Sequence, residues 1–145
     1  MDPRIERIQN ILKEYNYKIT EGRKEIIEIF VHYDDRHLKV NTIYDLIKDK
    51  ISLPTVYRTI EILKHTGIIN EIVINEERYY ELKIYSRKCF HIHFKCDKCN
   101  TIYDCYDSWM MVKLLDEKEK IEKQYNTIIY DIVVILNGVC NKCRR

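Results

Sequence analysis

The chain of 145 residues contains only three glycines, two prolines and one tryptophan. So few glycines and prolines exclude collagen-like repeats, Pro-rich disorder and long flexible linkers. No apolar run is long enough to span a bilayer, since the longest, Ile128 to Leu136, is interrupted by Asp131. The N-terminal Met-Asp-Pro-Arg has no apolar segment that could serve as a signal peptide. The sequence therefore predicts a soluble, cytoplasmic protein.

The sequence also lacks an excess of charge of either sign. Lys and Arg number 25 against 23 Asp and Glu, which gives a net charge of +2. The segments on either side of Gly67 carry +1 each, so neither is the basic domain that nucleic-acid binding often announces. A prediction of DNA binding must therefore depend on motifs and local geometry.

The first part of the chain shows four helical patterns followed by two short strands. Thr20 can cap the second helix, and after a short third helix Ser52 can cap the fourth, which Gly67 can end. Two apolar runs between residues 68 and 84 are separated by a polar turn and predict a β-hairpin. Helices followed by a hairpin predict a winged helix-turn-helix domain over residues 1–84.

The second part, residues 85–145, has the pattern of a small α/β domain. The predicted elements are a strand around residues 90–95, a strand over 101–105, a helix over about 108–124 and a last strand over 127–136. A region of this size is at the small end for independent stability, and its apolar last strand has little to cover it. We therefore expect a dimer. The predicted fold class is α+β, with the winged helix-turn-helix domain followed by an α/β dimerisation domain.

Six cysteines are the most informative feature of the composition. Four of them form two pairs, Cys96-x-x-Cys99 and Cys140-x-x-Cys143. Two such pairs can supply four thiolates in a closed tetrahedron, which is typical of structural zinc. Because the cysteines crowd into the second half of a chain without secretory features, metal binding is favoured over the alternative of buried or disulfide-linked pairs.

A second group of metal-ligating residues lies on the first strand of this domain. His91 and His93 are two residues apart on a strand and face the same side, and Asp104 falls on the following strand. Two imidazoles and a carboxylate suit divalent iron, manganese, zinc or nickel. The alternative is the solvent face of an amphipathic strand. Cys89 shares that face and is a further candidate ligand, whereas Cys105 is typical of a small buried apolar residue.

The predicted fourth helix carries residues suited to DNA. Val56 and Ile60 share its inward face, which leaves Thr55, Tyr57 and Arg58 for contacts. Threonine can bind a phosphate, tyrosine can contact a thymine methyl group or a phosphate, and arginine can bind guanine through two hydrogen bonds. The alternative is an ordinary capped amphipathic helix.

In this order the motifs resemble those of the ferric uptake regulator (Fur) family over nearly the whole chain. The resemblance is carried by Tyr17-Lys18-Ile19-Thr20-x-x-Arg23, His37 seven residues before Tyr44, Thr55-Val56-Tyr57-Arg58, Tyr80-Glu81-Leu82, His91-x-His93-x-x-Cys96-x-x-Cys99, Asp104 and Cys140-x-x-Cys143. It implies a homodimeric, metal-dependent repressor that binds a palindromic DNA operator and is not an enzyme.

The resemblance also implies roles for individual residues. The regulatory metal, Fe²⁺ or Mn²⁺, would be bound by His37, Glu81, His91, His93 and Asp104. The four paired cysteines would hold a structural Zn²⁺. Tyr57 and Arg58 would enter the major groove and Lys18 would lie near the minor groove, with Arg23 and Thr55 as further DNA contacts.

The identity of the signal is left open by the resemblance. Asp104, where other members have glutamate, is similar to the peroxide-sensing (PerR-like) branch, in which bound ferrous iron drives oxidation of a ligand histidine, here His37 or His91, and DNA is released. The Thr55 to Arg58 motif is more similar to the iron- and zinc-sensing branches, and Cys89 leaves a zinc-uptake regulator open, with Zn²⁺ at the regulatory site.

Two functions of other classes compete with the repressor. A two-His-one-carboxylate group can form an open catalytic metal site, but no convincing general base or substrate pocket accompanies it. A zinc-stapled module that binds only another protein would leave the DNA-contact residues without a role.

Overall fold

The protein is described by a computed structural model covering residues 2–86, 90–105, 107–129 and 132–144, without the side chains of Phe90 and His91. The chain divides into two compact units, Met1–Ser86 and Arg87–Arg145. The first unit combines four helices with a two-stranded sheet and the second combines one helix with a three-stranded sheet, which confirms the predicted α+β class. None of the helices in the described ranges is long and apolar enough to cross a membrane.

Four helices build the first unit. They are α1 (Pro3–Glu14), α2 (Glu21–His32), α3 (Val40–Ile47) and α4 (Leu53–His65). The predicted caps are confirmed: the side chain of Thr20 accepts a hydrogen bond from a backbone amide at the start of α2, and Ser52 does the same for α4. After α4, Gly67 has a φ of +78°, the left-handed conformation that favours glycine at a helix end.

A β-hairpin follows the helices and completes a winged helix-turn-helix. Its strands are β1 (Ile69–Ile74) and β2 (Glu77–Leu82), which pair in antiparallel fashion. Asn75 and Glu76 form the two-residue turn, and both have positive φ, as the preferred turns of such short hairpins require. The apolar faces of the helices and hairpin meet in one core; its fully buried side chains include Ile8, Leu12, Ile26, Phe30, Ile43, Val56, Ile60 and Leu63.

An ion pair lies inside this first unit, which the apolar pattern of α1 did not predict. Arg4 is 3% exposed and Asp34 is 0% exposed, and their Nη1 and Oδ2 atoms are 2.8 Å apart. Arg4 also contacts the carboxylate of Asp2 and donates to the backbone carbonyl of Tyr85 at 2.9 Å. The hydroxyl of Ser86 donates to the carbonyl of Asp34 at 2.9 Å. These bonds fix the last residues of the unit to α1 and to the end of α2.

The second unit contains a three-stranded sheet and one helix. Its elements are β3 (Phe90–Cys96), β4 (Ile102–Asp104), α5 (Ser108–Tyr125) and β5 (Ile132–Gly138). The central strand β3 pairs antiparallel with β4 and parallel with β5. In this register His93 lies between Asp104 and Ile135, so the three residues share one face of the sheet. On β5, Val133 and Ile135 are 58% and 57% exposed in the single chain.

The predicted boundaries of the last strand were wrong. The sequence pattern begins the strand at residue 127, whereas β5 begins at Ile132 and continues to Gly138. The reason is that residues after α5 bond back to the helix: the amide of Thr127 donates to the carbonyl of Glu122, and the amide of Ile129 donates to its carboxylate at 3.0 Å. Backbone groups used in this way are not available to a sheet.

Candidate metal sites and nucleic-acid interface

The structure brings the four paired cysteines into one cluster. The sulfur atoms of Cys96, Cys99, Cys140 and Cys143 all lie within 4.8 Å of one another. The Sγ atoms of Cys99 and Cys140 are 3.7 Å apart. Zinc bound tetrahedrally at Zn–S distances of about 2.3 Å needs sulfur atoms about 3.8 Å apart, so the cluster has the dimensions of a zinc site. No disulfide joins these four cysteines in the structure.

The ends of two parallel strands position this cluster. Cys96 is the last residue of β3 and lies opposite Gly138 at the end of β5. The amide of Asp97 donates to the carbonyl of Gly138 at 2.8 Å, and Asn100, with a φ of +61°, donates to the carbonyl of Cys96 at 2.9 Å. The second pair is turned in a similar way, since the amide of Cys143 donates to the carbonyl of Cys140. Two tight turns therefore face each other across the strand ends.

Hydrogen bonds within the cluster shift the pKa values of its cysteines in different directions. The backbone amide of Cys140 and then that of Cys99 lower the pKa of the Cys96 thiol to about 6. The hydroxyl of Thr101 lowers the pKa of Cys99. In contrast, the contact with Cys140 raises the pKa of Cys143 to about 12. Thiolates are the form that binds zinc, and backbone amides directed at sulfur stabilise that form.

The first candidate pair of regulatory ligands lies beside the hairpin. The Nε2 atom of His37 is 3.0 Å from Oε2 of Glu81. Leu38 pairs with Tyr80 as an isolated antiparallel bridge, and this bridge places the preceding residue of one segment opposite the following residue of the other. The histidine and the carboxylate are 39% and 16% exposed. His37 and Glu81 belong to different elements, so their spacing in the sequence did not indicate this contact.

The second candidate pair lies on the sheet of the second unit. His93 on β3 is directly opposite Asp104 on β4, and Nδ1 of the histidine is 2.8 Å from Oδ1 of the carboxylate. His91 is two residues away on β3, opposite Val133, and its side chain lies outside the described part of the structure. Four of the five regulatory ligands implied by the resemblance thus form two histidine–carboxylate pairs, one in each unit.

Two cysteines, Cys89 and Cys105, are not part of the paired motifs. Cys105 follows β4, is half-buried, and its sulfur is 4.0 Å from the carbonyl oxygen of Tyr103. Cys89 lies outside the described residues.

Helix α4 presents two of its three expected DNA contacts to solvent. Val56 and Ile60 are buried, as predicted, whereas Tyr57 is 51% exposed and Arg58 is exposed. Thr55 differs from the expectation, because it is half-buried and its hydroxyl lies 2.9 Å from that of Ser52. The hydroxyl of Thr55 thus takes part in the start of the helix.

Lys18 and Arg23 lie together at the start of α2. Lys18 is exposed. Arg23 is half-buried, donates from Nη1 to the backbone carbonyl of Lys18 at 2.8 Å and lies over the ring of Tyr17. Arg23 therefore orders the backbone that presents Lys18.

A side-chain network between the hairpin and α4 was missed by the sequence analysis. The hydroxyl of Tyr80 donates to Glu71 at 3.0 Å, and the same carboxylate oxygen lies 3.4 Å from Nζ of Lys64. A sequence signal did exist, since a two-residue turn at Asn75 and Glu76 places Glu71 opposite Tyr80.

Comparison with known proteins gives one consistent family. The sequence profile described as the ferric uptake regulator family matches residues 14–136. The ferric uptake regulation protein of Bacillus subtilis is 29% identical over 147 residues, which cover 99% of this chain and 96% of that protein. The ferric uptake regulation protein of Staphylococcus epidermidis is 30% identical over 141 residues, with coverage of 93% and 92%.

Solved structures are similar over the same length. A structure of PerR from Streptococcus pyogenes, presented as a basis for peroxide sensing and gene regulation, is 26% identical with a TM-score of 0.51 and covers 97% of this chain and 92% of that chain. The ferric uptake regulator of Helicobacter pylori, whose structure is said to reveal three functional metal-binding sites, is 21% identical with a TM-score of 0.51 and covers 100% and 95%. At 21% identity, the similarity to the Helicobacter pylori structure shows the fold alone.

Proposed function

This chain belongs to the ferric uptake regulator family, and from that premise we propose that it is a repressor that senses ferrous iron or manganese. Members of the family are dimeric, DNA-binding regulators of metal-dependent transcription and are not enzymes. The proposed regulatory ligands are His37, Glu81, His91, His93 and Asp104. We place the protein in the cytoplasm, where its DNA would be.

The observation that carries this proposal is the separation of two kinds of ligand. The cysteine cluster offers four sulfur atoms in a closed group, which suits a structural Zn²⁺. The His37–Glu81 and His93–Asp104 pairs offer nitrogen and oxygen atoms, at 3.0 Å and 2.8 Å. Such ligands suit Fe²⁺, Mn²⁺ and Zn²⁺, and each pair holds too few ligands to saturate an ion on its own.

We propose that one regulatory ion is shared by the two pairs and by His91. The pairs belong to different units, so ligation by both would favour one arrangement of the units over others. Binding shifts such an equilibrium only by the difference in affinity between the arrangements. A change from mostly open to mostly closed needs a difference of about 5.5 kcal/mol. In a dimer with two such sites, each site would need to contribute half of this free-energy difference.

The DNA-bound form that we propose is a dimer on a palindromic operator. Arg58 and Tyr57 of each α4 would contact base edges in successive turns of the major groove. Thr55 would approach a phosphate at the start of α4, and Lys18, ordered by Arg23, would lie near the minor groove. The exposed apolar side chains of β5 support dimerisation, because a second copy would remove them from water.

Two signals besides the supply of iron or manganese are candidates. The aspartate at position 104 and the 26% identity with a PerR structure over 97% of this chain favour a peroxide response, in which an iron-loaded site would lead to oxidation of His37 or His91. The Thr55 to Arg58 motif is similar to both the iron- and the zinc-sensing branches, and Cys89 leaves a zinc-uptake regulator open. One experiment separates these possibilities.

The test measures DNA binding by the dimer, purified without oxygen and with zinc retained at the cysteines. The probe is a palindromic duplex selected from a random library by the protein, and Fe²⁺, Mn²⁺ and Zn²⁺ are titrated separately. We expect Fe²⁺ or Mn²⁺ to tighten binding in the natural protein. His93→Ala should abolish this response, and His65→Ala, which removes an exposed histidine of α4, should preserve it.

The outcomes distinguish the signals. Peroxide treatment of the iron form that adds one oxygen to the peptide with His37 or His91 and releases DNA identifies a peroxide sensor. Iron-dependent binding that peroxide leaves intact identifies an iron-supply regulator, and a response to Zn²⁺ alone identifies a zinc-uptake regulator. Binding that no metal alters would contradict the shared-ion proposal.

A further inference from the structure

Tyr80 connects the candidate metal ligands of the first unit to the helix that would read DNA. We propose that Tyr80 is a positioning residue that couples occupation of the His37–Glu81 pair to the placement of α4, through Glu71 and Lys64. This inference rests on the proposed function, and it adds the internal connection by which a metal signal would reach α4.

The backbone of Tyr80 connects it to the ligand pair. Its amide donates to the carbonyl of Leu38, and the amide of Leu38 donates to its carbonyl, both at 2.7 Å. Leu38 and Tyr80 are 6% and 4% exposed, so water does not compete for these bonds. His37 and Glu81 are the immediate neighbours in sequence of the two bridged residues. A change in the position of either ligand is therefore transmitted to the bridge.

The side chain of Tyr80 connects it to α4. Its hydroxyl donates to Oε1 of Glu71, directly opposite on β1, at 3.0 Å. The same oxygen is 3.4 Å from Nζ of Lys64 in the last turn of α4. The hydrogen bond from Tyr80 is the main cause that lowers the pKa of Glu71, which therefore stays charged.

A second contact from β2 to Glu71 is weaker than that of Tyr80. Nε of Arg78 lies 3.9 Å from Oε1 of Glu71, and the arginine side chain is 71% exposed. Exposed ion pairs at such distances contribute little. The carboxylate of Glu71 and the ammonium of Lys64 are 24% and 28% exposed, so their interaction is less screened. The hydroxyl of Tyr80 is thus the principal polar link from β2 to α4 in this network.

The same bridge also contacts the start of the helix-turn-helix. Lys39, the residue after Leu38, is the N-cap of α3. Helix α3 packs against α4 in the helix-turn-helix. Displacement of the bridge would reach α4 by two routes, one through α3 and one through Glu71. Removal of the Tyr80 hydroxyl interrupts only the second route, which makes the contribution of that route measurable.

The test compares Tyr80→Phe with Tyr79→Phe, which removes a neighbouring hydroxyl. The Tyr79 hydroxyl donates to the exposed Glu77 at 3.3 Å, and it forms no hydrogen bond with α4 in the part of the chain that the structure describes. The dissociation constant for the selected duplex is measured with and without Mn²⁺. We expect Tyr80→Phe to reduce the ratio of the two constants at least about fivefold, the lower bound of typical coupling between sites. Metal-free DNA affinity and Mn²⁺ affinity of the DNA-free protein should stay within about twofold, as coupling alone is removed. Tyr79→Phe should keep the natural ratio.

Hydrogen exchange gives a readout that does not require DNA. In the natural protein Mn²⁺ should slow exchange in peptides from α4, and this protection should be smaller in Tyr80→Phe and in Glu71→Gln, because the route through α3 remains. The double variant of Tyr80→Phe and Glu71→Gln should lose no more coupling than either single variant, because the two residues share one hydrogen bond. Glu71→Gln also tests the connection if Tyr80→Phe fails to fold.

The outcomes separate this inference from the proposed function. A natural protein without any Mn²⁺ response would contradict both. A natural response that survives in Tyr80→Phe and Glu71→Gln would overturn only the coupling role of Tyr80. Equal weakening of DNA binding with and without Mn²⁺ would show a purely structural role and would also overturn the inference.

Discussion

Replacement of Asp34 by alanine should destabilise the first unit strongly, although Asp34 is not itself one of the candidate site residues. The Asp34 side chain is 0% exposed and lies 2.8 Å from Arg4, whose side chain alone is 4% exposed. Removing one partner of a buried ion pair costs about 3–5 kcal/mol, since the other charge stays away from water. Arg4 would keep its contacts with Asp2 and the carbonyl of Tyr85. We therefore expect the lower end, about 3 kcal/mol.

Urea unfolding of the full chain measures this loss. With a slope of about 2 kcal/mol per molar urea, the midpoint of Asp34→Ala should fall by about 1.5 M. Far-UV circular dichroism follows mainly the first unit, which holds four of the five helices in the described ranges, and the fluorescence of Trp109 follows the second unit. The matched control is Glu25→Ala, which breaks an ion pair with Lys50 whose two side chains are 29% and 63% exposed. Its expected cost is under about 1 kcal/mol.

Equal midpoint shifts in the two variants would refute the reasoning, because burial would then have no effect on the strength of the pair. A smaller midpoint shift in Asp34→Ala than in the control Glu25→Ala would refute the reasoning as well.

Further predictions concern zinc, DNA and pH. Cys99→Ser should lower the bound zinc, counted by mass spectrometry of the native dimer, whereas Cys105→Ser should retain the full amount, because only the first sulfur belongs to the cluster. Arg58→Ala should weaken binding to the selected duplex by about 1–3 kcal/mol and relax its sequence preference, and Arg36→Ala should not; intact binding in Arg58→Ala would favour the protein-interaction module. Because Tyr80 holds its proton up to a pKa of about 12 when folded, against about 10 when unfolded, its contribution is complete below about pH 10 and is lost as pH rises to about 12. Urea midpoints across that range should therefore fall more steeply in the natural protein than in Tyr80→Phe.

Local chemistry made the first unit largely predictable. Thr20, Ser52 and Gly67 mark helix ends through properties of their own side chains or backbone, so each boundary could be predicted without knowledge of distant residues. The burial of Arg4 could not, because it depends on Asp34, thirty positions away in sequence. The predicted start of β5 was wrong for a similar reason, since Glu122 accepts hydrogen bonds from the amides of Thr127 and Ile129.

The candidate sites likewise differ in whether their contacts are local in sequence and therefore predictable. The spacing of Cys96 and Cys99 predicts one half of a zinc site, because two residues between ligands suffice for a tight turn. The alternation along β3 predicted that His91 and His93 share a face and that Asp104 lies on the following strand, and the strand register shows that His93 and Asp104 are directly opposite. The His37–Glu81 contact instead depends on how the segment after α2 pairs with the hairpin, and only the family resemblance indicated it. The role of Tyr80 depends on three such non-local contacts.

The parallel pairing of β3 with β5 has a consequence for how the second unit folds. The cluster joins cysteines 41 positions apart, and closing a loop of that length costs about 3 kcal/mol of chain entropy before any contact is gained. Such non-local pairing is a slow step, during which the apolar β5 has no partner. A zinc ion bound by all four cysteines would cross-link the strand ends and stabilise the closed loop. A chain without that ion would keep the buried core of the first unit but would lose the link between the ends of β3 and β5.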